Sequence, residues 1–471
     1  MSSSVLWFRR DLRLGDNPAL LGAADSHPVA LFVLDPTLWE PAGPVRRAYL
    51  LRSLRRLDHS IGGRLHVRVG DPVEVVGQVA SDAGATQVHC AADFGPYGSR
   101  RDDAVQRTLA AGGRTLVRSG SAYAVAPGRV RKPDGSPYQV FTPFYRAWLA
   151  HGWRRPAPAP PPKLAWRSLP GGVVLPDEPT LGALALPEAG EEAALARWAA
   201  YLDSGLSDYH QRRDRPDLGA TSVLSAALRW GEIHPRTLLA DLSDHPGRGA
   251  EVFGRQLAWR EFYADVLHHR PDSARAALRT DLSTMQVETG PWADAALAAW
   301  QRGRTGYPFI DAGMRQLLAE GWMPNRVRMA SASFLVKDLH LDWTIGARWF
   351  MRWLADADLA SNQHGWQWVA GTGTDAAPYH RIFNPVLQGR RFDPDGHYVR
   401  RYVPELAHVG GPAVHEPWVL AGGLPPGYPD RLVRHEQERL VALDRYAAAT
   451  GKPVTAAASP PAAGRRRASS H

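Results

Sequence analysis

The residues that could do chemistry concentrate between Trp259 and Trp368. Nine of the 17 tryptophans of the chain lie in this stretch, more indoles than a soluble core usually needs. Indole rings can stack on nucleobases or flavin rings, and they can pass electrons. Carboxylates, an amide and two cations able to pair with a buried carboxylate lie among them: Asp356, Asp358, Asn362, Arg326 and Arg328. From residue types and spacing alone, this region indicates a redox site or a nucleic-acid site.

Two other patterns fit ordinary structural roles as well as functional ones. Thr221–Ser225 carries hydroxyls before a helical segment, where they can cap the helix or, through the same free N–H groups, help to hold a phosphate. Capping is the commoner use. Trp259, Phe262 and Tyr263 lie at i, i+3 and i+4, which places them on one face of a helix and is typical of a core stripe.

Several common sites are excluded. Gly371–Ala376 matches G-x-G-x-x-A, but Ala377-Pro378 follows instead of a long helix, so it is not a dinucleotide-binding turn. The single cysteine, Cys90, excludes a disulfide framework, an iron–sulfur cluster and a thiolate zinc site within one chain. His268-His269 is typical of a helix C-terminus. We therefore predict no metal site.

The elements that must position these residues fall into two domains. The first third alternates short apolar runs with helix-length segments, and its five predicted strands are Val5–Phe8, Val29–Leu34, Leu65–Val69, Gln87–Ala91 and Thr115–Val117. This pattern predicts an α/β domain with a doubly wound parallel five-stranded sheet over residues 1–130, without the G-x-G-x-x-G fingerprint. Helical periodicity dominates 191–450 and predicts a larger all-α domain. A Pro-rich linker over 131–190 would join the two, and we expect the basic tail at 451–471 to be disordered.

The overall charge fits a nucleic-acid partner. The formal net charge is +9 and the pI is near 9.8, which suits a nucleic-acid binder as well as an ordinary solvated surface. The sequence contains no apolar run long enough to span a membrane and no secretory signal pattern. We therefore expect a cytoplasmic protein.

Ordered motifs along nearly the whole chain resemble the photolyase/cryptochrome family, specifically its microbial class I cyclobutane pyrimidine dimer photolyases. The motifs are Leu6–Pro18, Thr221–Ser225, Trp259–Tyr263, Gly303–Asp311, Trp322–Met329 and Asp356–Pro385. The resemblance implies light-dependent DNA repair. Fully reduced FAD would donate an electron to a dimer flipped out of DNA, the cyclobutane bonds would break, and the electron would return.

The resemblance also implies the residues that bind FAD in the helical domain. Asp356 and Asp358 would bind the flavin and its adjoining polar atoms, Arg328 would pair with Asp356, and Asn362 would face flavin N5. Asparagine there favours repair, since plant cryptochromes typically have aspartate. The remaining cofactor contacts would be Tyr209, Thr221, Ser222, Val223, Leu224, Ser225, Arg260 and Ala357.

On the DNA side, Trp259 and Trp368 match the indoles that wedge against the two fused pyrimidines. Asn325, Met329 and Tyr263 would line the same pocket, while Arg213 and Arg326 would hold flanking phosphates. Gln256 departs from the pattern, because this class usually has a glutamate there that hydrogen-bonds the dimer. A glutamine can still read a pyrimidine edge but cannot carry the charge.

The resemblance further implies a chain of electron donors and an antenna. Photoreduction of the flavin would run through Trp366, Trp343 and Trp292. The α/β domain would bind 8-hydroxy-5-deazaflavin or methenyltetrahydrofolate, with Asp93 at the site. Deazaflavin is preferred, although Gly95 replaces an acidic residue often found there.

We expect a monomer without an obligate protein partner that binds UV-damaged DNA. Two alternatives remain at this point. One is a cryptochrome-like blue-light photoreceptor without repair, and the other is a (6-4) or DASH-type photolyase.

Overall fold

A computed structural model describes residues 3–161, 164–282, 284–376 and 381–451. Over these ranges the chain forms an N-terminal sheet covered by helices, followed by a larger assembly of helices. The predicted basic tail after residue 451 lies outside them, as do Ala377 and Pro378.

The sheet has five parallel strands in the order β3-β2-β1-β4-β5. In chain order they are β1 (Ser3–Phe8), β2 (His27–Leu34), β3 (Leu65–Val69), β4 (Gln87–Ala92) and β5 (Thr115–Ser121). The register places Val5 opposite both Val29 and Val88. The strand order reverses between β1 and β4, which confirms the predicted doubly wound parallel sheet.

Each of the helices that cover the sheet begins with proline, and in three of them the side chain before the proline caps the helix. They are α1 (Pro18–Ala23), α2 (Pro36–Trp39), α3 (Pro44–Ser60), α4 (Pro72–Asp82) and α5 (Pro96–Ala111). Asn17 accepts a hydrogen bond from Leu20 N at 3.2 Å, and Asp71 accepts one from Val73 N at 2.9 Å. Both helix starts were expected from the Asn-Pro and Asp-Pro pairs, because proline suits the first helical position.

Among its described residues, the segment predicted as a linker contains one helix, α6 (Phe141–His151). Its buried face consists of Phe141, Phe144 and Trp148, and this face packs into a core shared with the helical part of the chain. Further along the segment, Leu164 and Trp166 pack against the core of the sheet. The segment therefore contacts both parts of the molecule through apolar side chains.

The helical part contains thirteen α-helices among the described residues, and two of them carry most of the site. These are α11 (Arg248–His269) and α16 (Leu359–Ala370). The others are α7 (Glu191–Ser204), α8 (Tyr209–Arg212), α9 (Ser225–Trp230), α10 (Pro235–Asp244), α12 (Pro291–Gln301), α13 (Pro308–Glu320), α14 (Asn325–Lys337), α15 (Trp343–Trp353), α17 (Pro385–Phe392), α18 (His397–Tyr402) and α19 (His435–Thr450). None of the helices in the described ranges is long and apolar enough to cross a membrane.

Buried carboxylates on α11 fix this helix to the chain that leaves the sheet. Glu261 accepts hydrogen bonds from Ala124 N and from Val125 N (3.1 Å), and also from Trp148 Nε1 at 2.7 Å. One turn later, Asp265 accepts from Gly128 N at 2.6 Å. Buried polar groups need such partners, so these bonds determine how α11 sits against the connecting segment.

Candidate functional site

A cavity lies at the carboxyl edge of the sheet, where the strand order reverses. It is lined by the last residues of β4 and by residues that follow β1, β4 and β5: Arg9, Arg10, Asp11, Ala91, Ala92, Asp93, Phe94, Ala122 and Tyr123. Ligands of open α/β sheets bind at this switch point, because the strand-end loops diverge there. The cavity therefore lies where a ligand of such a sheet is expected, and the predicted Asp93 is among the residues that line it.

Asp93 is surrounded by cations. Burial opposes its ionisation, but the guanidinium groups of Arg101, Arg10 and Arg9 outweigh burial and lower the pKa of Asp93 below its usual value. Arg101 lies 3.3 Å from the Asp93 carboxylate, and Gly95 N donates to it at 3.0 Å. The Asp93 carboxylate therefore lies among arginines that also pair with Asp102 and Asp358.

Arg10 connects this cavity to the helical part of the molecule. Its Nη2 donates to Asp358 Oδ2 at 2.6 Å, and Asp358 also caps α16 by accepting from Ser361 N at 3.0 Å. Burial opposes the ionisation of Asp358, but Arg10, Arg229 and Arg260 hold its pKa well below the usual range. Three guanidinium groups thus influence one buried carboxylate.

The arginines near Asp358 are incompletely neutralised. Arg229 donates Nε to Ala357 O at 3.0 Å, but its buried Nη1 has no hydrogen-bond partner in the described part of the chain. Arg260 donates to the carbonyls of Ala122 and Leu228. An excess of buried positive charge and an unpaired buried donor are features of a site that receives an anionic ligand.

The hydroxyl-bearing segment before α9 is strained and does not cap the helix. The helix begins at Ser225, and Leu224, at the cap position, makes no side-chain cap bond, so capping by Thr221 or Ser222 is wrong. The reason is that Val223 adopts φ of 49°, which turns the chain between the hydroxyls and the helix. A β-branched residue in the left-handed region is a true outlier, and such strain concentrates at ligand sites.

The hydroxyls of this segment remain available for a ligand. Ser225 Oγ accepts from Trp322 Nε1 at 3.2 Å. Within the residues that the structure describes, Thr221 and Ser222 have no side-chain hydrogen bonds. Nearby, the buried Tyr209 packs beneath the Arg213 guanidinium, which lies 5.7 Å from its ring centre.

One stripe of α16 contains a carboxylate, an amide and an indole. Asp358, Asn362 and Trp366 lie at i, i+4 and i+8, so they follow one face of the helix. Asn362 Nδ2 donates to Ala347 O at 3.1 Å and to Gln363 Oε1 at 2.8 Å, while its carboxamide oxygen accepts no hydrogen bond from the described residues. A Cβ placed on Gly365 would meet no described atom within 4 Å, so this helix borders open space one turn after Asn362.

Arg328 and Asp356 form a bidentate ion pair. The two bonds measure 3.1 Å from Nη1 to Oδ1 and 2.8 Å from Nη2 to Oδ2, and Arg328 Nε donates to Met323 O at 2.8 Å. The Asp356 side chain is 3% exposed while that of Arg328 is 24% exposed. The fork geometry fixes both groups, as predicted for this pair, and holds a positive charge at the rim of the site.

These residues fit FAD. The unpaired Arg229 donor and the cations around Asp358 suit an anionic cofactor, while the strained hydroxyl segment suits a diphosphate. The space beside Gly365 and the Asn362 oxygen suit a planar ring with a polar edge. The described residues include no group of three or more His, Cys, Asp or Glu side chains able to hold a metal ion.

The three tryptophans predicted to pass electrons become progressively more exposed. Trp366 is 2% exposed, Trp343 is 8% exposed and Trp292 is 46% exposed. The Trp366 ring packs directly on α15 at Gly346, where a Cβ would come within 2.1 Å of it. Gly346 lies one turn after Trp343, so glycine there lets the Trp366 ring approach the helix that begins with Trp343.

The residues predicted to contact the lesion come from three helices. Gln256, Trp259 and Tyr263 lie on α11, Trp368 lies on α16, and Asn325, Arg326 and Met329 lie at the start of α14. Trp259 and Trp368 are half-buried. Asn325 Nδ2 lies 3.4 Å from Met329 Sδ, consistent with their i, i+4 spacing on one face.

The two predicted phosphate-binding arginines share an aspartate. Arg326 pairs with Asp214 at 2.8 Å and lies 4.4 Å from the Phe392 ring centre, and Arg213 Nε lies 3.7 Å from Asp214. Asp214 therefore holds both guanidinium groups close together at the surface. Neither is free of an internal partner, so DNA would compete with Asp214 for them.

Sequence reasoning missed Arg10, Arg229 and Phe141. Arg10 belongs to the Leu6–Pro18 motif, but no local pattern indicates that it pairs with Asp358, 348 positions away. Phe141 lies in the segment predicted as a linker, yet its ring stacks on Trp259. The aromatic spacing of Phe141, Phe144 and Trp148 was the available signal, since i, i+3 and i+7 mark an apolar helix face.

Comparison with known proteins identifies the family to which this chain belongs. Residues 4–163 match the family model described as DNA photolyase, and residues 253–448 match the FAD binding domain of DNA photolyase. The deoxyribodipyrimidine photo-lyase of Streptomyces griseus is 43% identical over 92% of this chain and 96% of its own length.

Two crystal structures are similar over most of both chains. The bacterial class III photolyase from Agrobacterium tumefaciens superposes with a TM-score of 0.89 at 35% identity, covering 96% of this chain and 98% of that one. The archaeal photolyase from Sulfolobus tokodaii, solved with two FAD molecules, gives a TM-score of 0.82 at 28% identity, covering 95% and 100%.

Proposed function

Because this chain belongs to the DNA photolyase family, we propose that it is a light-dependent repair enzyme that splits cyclobutane pyrimidine dimers in DNA. The observation that carries the proposal is the stripe on α16. Asp358, Asn362 and Trp366 place a cation-paired carboxylate, a carboxamide oxygen and a buried indole on one helix face beside open space. In this arrangement Asp358 and Asn362 would contact the flavin, and Trp366 would supply it with electrons.

FAD, when bound in its fully reduced form, supplies the light absorption and the electron for a redox-neutral cleavage of two carbon–carbon bonds. The protein's own residues would bind the cofactor and orient it. Arg10 and its neighbours keep Asp358 ionised, the bidentate Arg328 holds Asp356 in place, and the two hydrogen bonds that Asn362 Nδ2 donates fix the orientation of the carboxamide. The hydroxyls of Thr221 and Ser222 would contact the diphosphate.

The lesion-binding side combines stacking with hydrogen bonding. Trp259 and Trp368 would stack against the two pyrimidines of a flipped-out dimer, and Gln256 would read a pyrimidine edge. Arg213 and Arg326 would exchange part of their contact with Asp214 for flanking phosphates. The affinities for undamaged and for damaged DNA should therefore both fall as salt is added.

The electron that restores the reduced flavin would travel through the protein from its surface. Trp292 is the exposed end of the proposed route, Trp343 the buried intermediate, and Trp366 the indole nearest the flavin. Trp366 Nε1 is buried and has no hydrogen-bond partner among the described residues.

We propose that the cavity at the carboxyl edge of the sheet binds an antenna chromophore, 8-hydroxy-5-deazaflavin in preference to methenyltetrahydrofolate. The arginines around Asp93 suit an acidic planar chromophore, and Tyr123 and Phe94 provide aromatic surfaces. A second FAD molecule is a third possible chromophore for this cavity, since the Sulfolobus tokodaii photolyase was solved with two FAD molecules. Mass and absorption of the chromophore extracted from purified protein distinguish the three.

A repair assay tests the main proposal. Purified reduced protein is mixed with duplex DNA that contains a single thymine cyclobutane dimer, in darkness and under blue light. We expect recovery of pyrimidine absorbance in the light alone. We also expect the protein to act as a monomer, which light scattering on the same sample checks.

Matched substrates make the result interpretable. The same duplex with a (6-4) photoproduct and a single strand with the cyclobutane dimer are treated identically. Repair of the (6-4) lesion alone, or repair confined to the single strand, would replace the proposal with the corresponding alternative. Failure on every substrate, with a bound and photoreducible flavin, would indicate a photoreceptor.

A further inference from the structure

The N-terminal turn of α6 covers one face of Trp259. Phe141 is fully buried, and its ring stacks on the indole with centroids 3.7 Å apart and planes 7° from parallel. Phe262 and Tyr263 meet the same indole at 76° and 48°. Trp259 is nevertheless half-buried, so the face turned away from Phe141 is the part left for a ligand.

The backbone of Phe141 is held by the loop that follows α16. Phe141 N donates to Asp375 Oδ2 at 3.1 Å, and the neighbouring Thr374 Oγ1 donates to Gln139 O. Asp375 has φ of 47°, a conformation that costs energy in a residue other than glycine. The loop that carries it begins three residues after Trp368, so the two predicted wedge tryptophans are connected through Asp375 and Phe141.

The stack continues on the far side of Phe141. Tyr145 lies one turn along α6 with its ring 15° from parallel to that of Phe141 and 5.6 Å away. The exposed Arg255 of α11 places its guanidinium 5.4 Å from the Phe141 ring and 5.6 Å from the Tyr145 ring. Phe141 is therefore enclosed on both faces and cannot turn away from Trp259.

We propose that Phe141 is a positioning residue for lesion recognition, which fixes the plane of the Trp259 indole before a flipped-out pyrimidine stacks on its open face. This inference rests on the proposed function, since it takes Trp259 as the stacking surface. An indole backed by a parallel ring has few orientations left to lose on binding, so the dimer meets a preformed surface. Asp375 would act through Phe141 in the same way.

The main test replaces Phe141 by leucine, which keeps an apolar side chain but removes the flat ring. We expect the Phe141→Leu protein to bind dimer-containing duplex about tenfold more weakly, the upper range for loss of one aromatic pair. Affinity for undamaged duplex, flavin content and flavin photoreduction should stay at wild-type values. Phe144→Leu is the matched control, because Phe144 is also buried on α6 but contacts Phe262 and Tyr138.

A double-mutant cycle separates positioning from simple packing. If Phe141 acts through Trp259, adding Phe141→Leu to Trp259→Leu should weaken lesion binding no further, because the surface being positioned is already absent. Asp375→Ala should give a smaller loss in the same direction and serves as the test if Phe141→Leu does not fold. Full additivity, or equal loss of lesion affinity in Phe144→Leu, would overturn the inference.

The outcomes also separate this inference from the proposed function. Wild-type lesion affinity in Trp259→Leu would show that the proposed stacking surface is wrong. A loss in Trp259→Leu together with wild-type affinity in Phe141→Leu and Asp375→Ala would overturn only the role of Phe141.

Discussion

Arg10 Nη2 and Asp358 Oδ2 lie 2.6 Å apart, although 348 positions separate the two residues in the chain. Arg10 follows the first strand of the sheet and lines the cavity at its carboxyl edge, while Asp358 caps the helix that carries Asn362 and Trp366. One guanidinium thus belongs to both proposed cofactor sites. Removing this guanidinium should therefore affect ligand binding in the helical part of the molecule as well as in the cavity.

Arg10→Ala should lower both the stability and the FAD content of the purified protein. Asp358 would remain buried without its nearest cation, which we expect to cost about 2 kcal/mol, less than the ~3–5 for a fully buried pair because Arg229 and Arg260 remain. Chemical denaturation and the ratio of flavin to protein absorbance measure the two effects. Arg118→Ala is the control, since the surface pair Arg118–Asp103 should contribute less than about 1 kcal/mol. Equal effects of both substitutions would contradict the assignment.

Trp366→Phe should block photoreduction of oxidised flavin and spare repair by protein that has been reduced chemically. Phenylalanine fills most of the indole volume but is far harder to oxidise. Transient absorption measures the first property and the light-dependent repair assay the second. Trp349→Phe, on α15 but outside the proposed route, should photoreduce normally. Normal photoreduction in Trp366→Phe would remove Trp366 from the electron route.

Gln256→Glu should raise the yield of dimer repair per absorbed photon. Gln256 is half-buried on α11 and donates Nε2 to Val252 O at 3.3 Å. Glutamate keeps the shape and adds a charge, but it gives up this bond because a carboxylate has no donor. A charged hydrogen-bond partner adds about 1 kcal/mol, which limits the gain to about fivefold. Glu251→Gln, on the exposed surface of the same helix, should leave the yield unchanged. A lower yield in Gln256→Glu would mean that the site is adapted to a neutral side chain.

Glu261 should make the folded protein less stable as the pH rises from about 4.5 to 7. Burial raises its pKa to about 7, despite the bonds it accepts from Trp148, Val125 and Ala124. Over this pH range the folded protein keeps a proton that the unfolded chain has released, so the free energy of unfolding falls with pH. The total effect is on the order of 3 kcal/mol. Glu261→Gln should lose this slope in denaturation curves taken across the range, whereas Glu178→Gln, at an exposed ion pair, should keep it.

The sequence allowed the sheet to be predicted strand by strand. The run Val29–Leu34 lies within β2, whose continuous apolar pattern reflects burial on both faces, and Leu65–Val69 matches the edge strand β3, where apolar residues alternate with His66 and Arg68. The caps at Asn17 and Asp71 were equally predictable, since each depends on neighbouring residues only. The family was identified from ordered motifs, and the comparisons confirm it.

The contacts that shape the site could not be predicted in the same way. The left-handed turn at Val223 contradicts the local preference of valine and is imposed by the surrounding structure. The pairing of Arg326 with Asp214 and the stacking of Phe141 on Trp259 join segments whose spacing in the chain carries no mark of the contact. Local patterns determine elements, whereas such pairs depend on how the elements pack.

The long separations behind these pairs also constrain the order in which the molecule can assemble. All five strands of the sheet lie before residue 122. The contact of Phe141 with Asp375 and that of Arg10 with Asp358, however, need residues that are synthesised much later. During synthesis the sheet can therefore form first, as N-terminal domains generally do, while Arg10 lacks its partner in the helical part until the ribosome has passed residue 358. Contacts this distant in sequence form slowly. A chain released before residue 358 would carry a finished sheet but would lack Asp358, Asn362 and Trp366, the stripe proposed to hold FAD.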